Sequence, residues 1–588
     1  MAAFRKILVA NRGEIAIRVF RTLRELGIGS VAVYSEVDRD RLHVIQADEA
    51  YLLGPGPATE SYLRADLIVE IALRSGADAV HPGYGFLAEN AAFARRVEES
   101  GLVWIGPPPE AIEAMGSKIA ARERMHAAGV PIVPGTTTPA TSVDDVRAAA
   151  EEIGYPIVVK ASAGGGGKGM RVAGSADEIE RAFESAGREG EAYFADAAVY
   201  VERYLEDPRH VEVQVLADSH ANVIHLGERD CTIQRRHQKL VEETPSPAVD
   251  HELRTRIGGI AIEAARAVGY RSAGTIEGLL DVDGSYYFLE MNTRVQVEHT
   301  VTEAVTGIDI VREQIRVAAG EPLSVSQDEV VLRGHAIECR INAEDVSHSF
   351  RPSPGRITAY REPAGIGVRV DSGVRAGDEI SELYDPMIAK LIVHDVDREH
   401  ARRRMLRALE EFVIDGPASL LGFHRALLET PCFVEGGTCR GVVESESLAT
   451  RAEELERSHR SAAAVALDGR PSTSEQVLAV EIDGRRHEVR VRAPEPPWVE
   501  LAHRHRERSK ALAGAAVGAI TSPMQGTVLS VAVSEGAAVR AGDLICVVEA
   551  MKMENEIVSS GDGVVAQLAV APGDQVANGQ VICVLASE

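Results

Sequence analysis

The sequence predicts a chain of α/β and α+β domains followed by an all-β domain at its C-terminus. Three observations carry this. Near the N-terminus, apolar runs of strand length break into glycine-rich turns and then into helical patterns. In the middle, strands and helices are mixed without that regular alternation. At the end, two β-rich segments resemble each other at a constant offset of 37 residues. Gly526 matches Gly563, Gly536 matches Gly573, Gly542 matches Gly579, and Ile545-Cys546 matches Ile582-Cys583. A chain of 588 residues exceeds what one core organises, so several domains are expected.

The first domain is expected over 1–115. Ile7-Leu8-Val9-Ala10 reads as a strand, Asn11-Arg12-Gly13-Glu14 as a turn, and Ile15 to Leu26 as a helix. Val31 to Tyr34 is the next strand, and Ala79-Val80-His81 runs into the loop Pro82-Gly83-Tyr84-Gly85. Such alternation gives a parallel sheet with its sites at the strand C-terminal ends. The second domain is expected over 116–334, with a small α+β lid at about 130–204. Pro156 to Lys160, Tyr200 to Tyr204 and Val211 to Leu216 are its strands. A third, over 335–447, opens with the strand Ala336 to Arg340 and carries a helix from Arg398 to Phe412. Residues 448–517 read as a linker rich in Ala, Glu, Arg, Ser and Pro. Inside it, Val477 to Val491 reads as one hairpin turning on Asp483-Gly484. The repeat domain fills 518–588.

A formal charge of −26 argues against nucleic acid or an anionic membrane as the main partner. Any phosphate site must then be locally basic. No stretch approaches the ~20 apolar residues of a membrane span, and Met1 to Ala10 lacks the pattern of a leader. The six cysteines contain no C-x-x-C pair, so neither a zinc site nor a disulfide framework is expected. Cys546 and Cys583, at equivalent repeat positions, are expected to be buried apolar residues. A reducing cytoplasm is the expected compartment.

Two places carry chemistry. Lys552 stands between Met551 and Met553 where the two repeats meet. A primary amine at an exposed hairpin tip on a rigid scaffold suits covalent attachment of a carried group. The second place is the middle of the chain. Gly164, Gly165, Gly166, Gly167, Lys168 and Gly169 follow a strand, so backbone N–H groups can approach phosphate oxygens. No Ser or Thr follows the lysine, which excludes a Walker A loop. Lys118 and Lys160 add cations for a nucleotide. Glu277, Glu290 and Asn292 offer hard oxygen ligands suited to Mg²⁺. Arg294, Gln296, Glu298 and His299 continue this polar cluster.

Ala550-Met551-Lys552-Met553, with Ser522-Pro523-Met524-Gln525-Gly526 upstream, resembles the biotinyl domain of biotin-dependent carboxylases. The stretch from Phe4 to Ser447 resembles the biotin carboxylase member of the ATP-grasp superfamily. Its signatures here are Ala10 to Ala16, His81 to Leu87, the glycine loop, Glu228 to Cys231, Gln234 to Lys239, and Glu290 to Glu298. The resemblance implies an ATP-grasp fold and an all-β biotinyl/lipoyl-type flattened barrel. It implies biotin on Lys552, placed there by a biotin protein ligase. Lys118, Lys160, Glu202, Leu205, His210, Gln234 and His237 would line the ATP pocket, and the loop Gly164 to Gly169 would close over it. Glu277 and Glu290, with Asn292 nearby, would hold Mg²⁺, or Mn²⁺ in its place. Lys239, Arg294, Gln296 and the Val297 backbone would hold bicarbonate. Glu298 would be the general base on bicarbonate, giving carboxyphosphate, and Arg340 would stabilise the biotin enolate. Thr300 stands where many members have proline, and Lys168 where some have arginine.

The 448–517 linker cannot hold a carboxyltransferase barrel of roughly 250 residues. A separate carboxyltransferase β subunit is therefore expected, in a hetero-oligomer whose biotin carboxylase domains also self-associate. The layout resembles the α chain of actinobacterial-type acetyl-/propionyl-CoA carboxylases. Pyruvate, methylcrotonyl-CoA or urea carboxylases share the first half-reaction and stay open as alternatives. The linker hairpin is the expected docking element for the β subunit.

Overall fold

The computed structural model describes residues 4–116, 118–136, 138–161, 170–194, 199–236, 238–467, 473–482, 485–494, 519–550 and 553–586. The chain forms two compact units. The first comprises Met1–Ala343, Arg356–Glu379 and Met387–Ala452; the second comprises Glu344–Gly355, Ile380–Pro386 and Glu453–Glu588.

The first unit begins with a parallel sheet. Strands β1 (Lys6–Val9), β2 (Gly29–Ser35), β3 (Glu49–Gly54), β4 (Ala79–His81) and β5 (Val103–Trp104) lie in the order β3-β2-β1-β4-β5. Ile7, Leu8 and Val9 are wholly buried, as expected for a central strand covered on both faces. The helix Gly13–Glu25 buries Ile15, Ala16, Val19, Phe20 and Leu23. The strand order reverses between β1 and β4, so the loops after them open at a switch point. There Asn11 Nδ2 donates to the Pro82 and Tyr84 carbonyls, each at 2.7 Å. Gly83 permits this: its φ is +63°, and a Cβ there would sit 2.8 Å from Asn11 Nδ2.

A three-stranded sheet follows, with β6 (Ile157–Ala161) between β7 (Met170–Ala173) and β8 (Val199–Arg203). Helices Val143–Ile153 and Ile179–Phe194 cover it, and Val146, Ala150, Ile157, Val159, Ile179 and Val201 form its core. Next comes an eight-stranded sheet built of antiparallel pairs. Its members are β9 (Arg209–Ala217), β10 (Val223–Arg235), β11 (Gln238–Thr244), β12 (Ser272–Leu280), β13 (Tyr286–Asn292), β14 (His335–Asn342), β15 (Val368–Ser372) and β16 (Met387–Asp395). They lie in the order β13-β12-β9-β10-β11-β14-β16-β15. The candidate site is built on the middle of this sheet.

One sequence expectation is corrected here. Cys432 and Cys439 form a disulfide with a Cα–Cα separation of 5.4 Å. The spacing of seven matches no metal or redox motif, so reading the cysteines by motif misses it. The two sulfurs meet because the backbone turns back after the short helix Pro431–Val434.

In the second unit, Thr473–Ile482 pairs antiparallel with Arg485–Pro494, and the expected Asp483-Gly484 turn lies outside the described residues. The C-terminal repeats form two four-stranded sheets. Gly526–Val531, Ala538–Val539 and Leu544–Ala550 of one half correspond to Gly563–Leu568, Gln575–Val576 and Val581–Ala586 of the other. Each half lends its short strand to the other's sheet: Ala538–Val539 pairs with Gly563–Leu568, and Gln575–Val576 with Gly526–Val531. Matched residues build the core, with Val528 and Val565, Ile545 and Ile582, and Cys546 and Cys583 all buried. Among the described residues, no helix is long and apolar enough to cross a membrane.

Candidate active site and carrier hairpin

The site begins with an arginine that no solvent touches. Arg229, on β10, is fully buried and uses all five of its N–H groups. It donates to Glu212 Oε1, to Gln214 and Thr302, and to Thr275 and Gln296. Burying such a charge is tolerable only when it is paired and fully hydrogen-bonded. In return Arg229 fixes Glu212, which accepts from Lys239, and Gln296, which donates to Glu277.

Lys239, on β11, sits among three carboxylates. Its Nζ donates to Glu212 Oε2, to Glu277 Oε1 at 2.9 Å and to Glu298 Oε1 at 2.6 Å. Burial works against the ammonium, yet Glu212, Glu298 and Glu277 outweigh it and hold its pKa well above the ordinary lysine value. Glu277 also receives Gln296 Nε2 at 2.6 Å and Asn292 Nδ2 at 2.8 Å, both on Oε1. Its Oε2 faces His210 Nε2 at 3.0 Å. Burial would raise Glu277, but Lys239 and His210 hold it well below the usual carboxylate range.

Glu298 is 2% exposed and bridges two cations. Oε1 takes Lys239, and Oε2 takes Arg340 NH2 at 2.9 Å. Burial pushes its carboxyl up, but Lys239, then Arg340 and Arg229, bring it far below the ordinary value. These cations favour its ionised form. Arg340 Nε reaches across to Glu242 Oε1 at 2.6 Å. Arg294 Nε donates to Glu89 Oε2 at 3.0 Å and its NH2 to Asn292 Oδ1 at 2.6 Å. Lys390, fully buried on β16, donates to the Val297 carbonyl at 2.8 Å.

The chemistry of the donor set fits a hard divalent cation. Glu277 and Glu290 are direct register partners across β12 and β13, and Thr275 is opposite Asn292. Two carboxylates placed directly opposite repel unless a cation offsets them. A bulge interrupts the ladder beside Glu277, a feature common next to active sites. In the group His210, Glu212 and Glu277, the Lys239 ammonium already takes one oxygen of each carboxylate, Glu212 Oε2 and Glu277 Oε1.

Of the nucleotide residues, Lys160 donates to Glu202, which also takes Arg122 NH1 at 2.9 Å. Leu205 is buried, and Gln234 Nε2 donates to the Cys231 carbonyl at 2.8 Å. Lys118 opens the helix Lys118–Ala127. Gly164, Gly165, Gly166, Gly167, Lys168, Gly169, His237 and Lys552 lie outside the described residues. The structure thus brings together Lys239, Glu277, Asn292, Arg294, Gln296, Glu298 and Arg340. Sequence reasoning misses Arg229, Glu212, Glu242, Glu89 and Lys390. Arg229 lies inside the signature Glu228 to Cys231; the other four carry no local pattern to mark them.

In the C-terminal domain, Ala550 pairs with Met553 across Leu544–Ala550 and Met553–Val558, so the strands flank residues 551–552. Met524 is buried, and a Cβ on Gly526 would meet the Glu549 carbonyl oxygen at 2.4 Å. Only glycine lets these backbones approach so closely beside this hairpin.

Residues 3–112 match the family described as biotin carboxylase, N-terminal domain, and 117–326 match the carbamoyl-phosphate synthase L chain, ATP binding domain. Residues 338–445 match the biotin carboxylase C-terminal domain, and 518–585 match the family described as biotin-requiring enzyme. The biotin-dependent acyl-coenzyme A carboxylase alpha3 subunit of Mycobacterium leprae is 47% identical, over 95% of this chain and 94% of its own length. A pyruvate carboxylase subunit of Methanothermobacter thermautotrophicus is 55% identical, over 74% of this chain and 88% of its own. Among solved structures, the biotin carboxylase domain dimer of Hydrogenobacter thermophilus 2-oxoglutarate carboxylase, in complex with MgADP, ADP and bicarbonate, superposes with a TM-score of 0.71. It is 48% identical and covers 76% of this chain and 98% of its own. The chain therefore belongs to the biotin-dependent carboxylases, as a biotin carboxylase fused to a C-terminal biotinyl domain.

Proposed function

We propose that this chain is the α subunit of an acyl-CoA carboxylase. It spends ATP to place the carboxyl of bicarbonate on biotin carried at Lys552, and a separate carboxyltransferase β subunit passes that carboxyl to acetyl-CoA, propionyl-CoA or a related acyl-CoA. The observation that carries this reading is the end-to-end match to the Mycobacterium leprae alpha3 subunit, which spans both the carboxylase and the biotinyl part. The pyruvate carboxylase relative matches only 74% of this chain, so its similarity bears on the shared first half-reaction.

The residues divide the work. Lys239, Arg294, Gln296 and the Val297 backbone hold bicarbonate; because the Val297 carbonyl accepts from Lys390, its N–H is the group left for an anion. Glu298 takes the bicarbonate proton. Its low pKa keeps it unprotonated, and insertion of bicarbonate between it and Lys239 relieves the cation that now satisfies Oε1. Glu277, Glu290 and Asn292 would hold Mg²⁺, which would supply positive charge beside the ATP phosphates. Lys118, Lys160, Glu202, Leu205, His210, Gln234 and His237 line the nucleotide pocket, and the Gly164 to Gly169 loop excludes water from it. Arg340, which stays protonated throughout, would stabilise the negative charge that develops on the biotin ring. Tethering raises the local concentration of the ring to roughly millimolar.

The carboxylase parts self-associate, by analogy with the Hydrogenobacter domain dimer. The hairpin Thr473–Ile482 and Arg485–Pro494 is the docking element for the β subunit. Co-purification from the source cells, followed by carboxylation assays with acetyl-CoA, propionyl-CoA, pyruvate and 2-oxoglutarate, tests the assignment. Turnover of an acyl-CoA is the expected result; turnover of a 2-oxoacid alone overturns it.

A further inference from the structure

Behind Arg340 lie two carboxylates that bicarbonate activation and carboxyl transfer do not use. Glu242 on β11 and Glu338 on β14 are register partners, and both are 0% exposed. Directly opposite side chains in an antiparallel pair share a face, with Cβ atoms about 5 Å apart. Glu242 Oε1 accepts from Arg340, and Glu338 Oε2 accepts from the Thr300 hydroxyl. The remaining oxygens, Glu242 Oε2 and Glu338 Oε1, are buried with no hydrogen-bond partner among the described residues. One charged partner cannot satisfy two buried anions. A carboxylate pair so placed holds a proton instead, because like charges at close range cannot both ionise.

The surrounding charges support this. From β11, Lys239 is engaged by Glu212, Glu277 and Glu298. From β16, Lys390 donates to the Val297 carbonyl and lies 4.0 Å from Asp371 on β15. From the segment after β13, Glu298 adds a further negative charge. The neighbouring Cys231 and Cys339 thiols are driven well up by burial and stay neutral. Arg340 is split between Glu242 and Glu298. With Glu242, Glu298 and Glu338 all ionised, its positive charge would be more than cancelled.

We propose that Glu242 and Glu338 share one proton behind Arg340, as positioning residues that leave the guanidinium net positive toward the reacting biotin oxygen. This rests on the role of Arg340 in the proposed function. Burial raises both carboxyls most; Arg340 pulls Glu242 back only to about 8, and Lys390 pulls Glu338 back only to about 7. The sign follows: the proton is held at neutral pH and lost as pH rises through that range.

The test uses the full chain. With ATP, bicarbonate and free biotin, wild-type kcat/KM for biotin should fall about tenfold between pH 7 and pH 9, because loss of one proton costs one decade for each pH unit above its pKa. Glu338→Gln, which fixes one partner neutral, should fall less than about threefold over the same interval. Parallel falls in the two proteins overturn the proposal. Independently, infrared difference spectra of protein carrying ¹³C-glutamate should show a protonated carboxyl band that titrates between pH 6 and pH 9. That band should vanish in Glu338→Gln, or in Glu242→Gln should the first variant fail to fold. Its absence from wild type, or its persistence in a folded variant, also overturns the proposal. Loss of turnover with the band intact would instead count against the proposed function.

Discussion

Glu298 and Arg340 come from different elements, 42 residues apart in sequence, and meet at 2.9 Å through Oε2 and NH2. The other oxygen of Glu298 receives Lys239 at 2.6 Å. A carboxylate bridging two cations is ionised but occupied, so under the proposed function bicarbonate must displace a cation to be deprotonated by Glu298. In the proposed function, that single relationship joins the base that would activate bicarbonate to the cation that would act on biotin.

Glu298→Gln keeps the size and the acceptor oxygen but cannot take a proton. Bicarbonate-dependent ATP hydrolysis should fall by about 10²–10⁴-fold, the range usual for loss of a general base. Circular dichroism should match wild type. A wild-type rate removes Glu298 from the base role.

Arg229→Ala leaves Glu212 buried without its guanidinium partner. Breaking a buried pair from one side costs about 3–5 kcal/mol, so denaturant unfolding should move by that amount. Arg229→Lys should also be destabilised, because an ammonium has three donors for the five acceptors that surround this site. Unchanged unfolding midpoints would contradict the role of Arg229 as the organiser of Glu212 and Gln296.

Much of the fold is legible in the sequence because its punctuation is local. Gly13, Gly83 and Gly85 mark the loops after β1 and β4, and the 37-residue offset predicts matched cores such as Cys546 and Cys583. The edge strand Glu49–Gly54 and the short strand Val103–Trp104 are not anticipated, since the short apolar runs Ala50 to Leu53 and Leu102 to Ile105 have no periodicity that separates a strand from a buried helix segment. Site residues that cluster in sequence, from Glu290 to Glu298, can be read directly. Glu212, Glu242 and Lys390 cannot, because their partners arrive only when β9, β11, β14 and β16 align. The Cys432–Cys439 bridge escapes for the same reason: the sulfurs meet through a backbone turn, not through a motif.

Acid should weaken the N-terminal sheet through Asp38. Arg12 donates to it at 2.6 and 2.7 Å and Tyr62 at 2.6 Å. Burial raises its carboxyl, but Arg12, with smaller help from His43 and Tyr62, lowers it from 3.8 to about 2. A depressed folded pKa stabilises above the unfolded value, and the gain is lost as pH falls through the folded one. The window is therefore about pH 4 down to pH 2, with roughly 2 kcal/mol at stake. Asp38→Asn should cost stability at pH 7 and little at pH 2, as read by urea unfolding. Equal costs at both pH values would contradict this.

Gly526→Ala should disturb the carrier without touching the carboxylase. Its Cβ must push the Glu549 backbone away, an overpacking cost of about 1–3 kcal/mol. Streptavidin-reactive yield after treatment with a biotin ligase should drop, while ATP hydrolysis with free biotin should hold. Full labelling would show that this close approach is dispensable.

The most direct measurement is transfer of radiolabelled bicarbonate carbon to the biotinylated chain. Label should appear on the protein only when ATP and Mg²⁺ are present. It should be lost in Lys552→Ala, which should also fail to bind streptavidin. ATP hydrolysis that leaves no label on the wild-type chain, or label that persists in Lys552→Ala, would contradict the account.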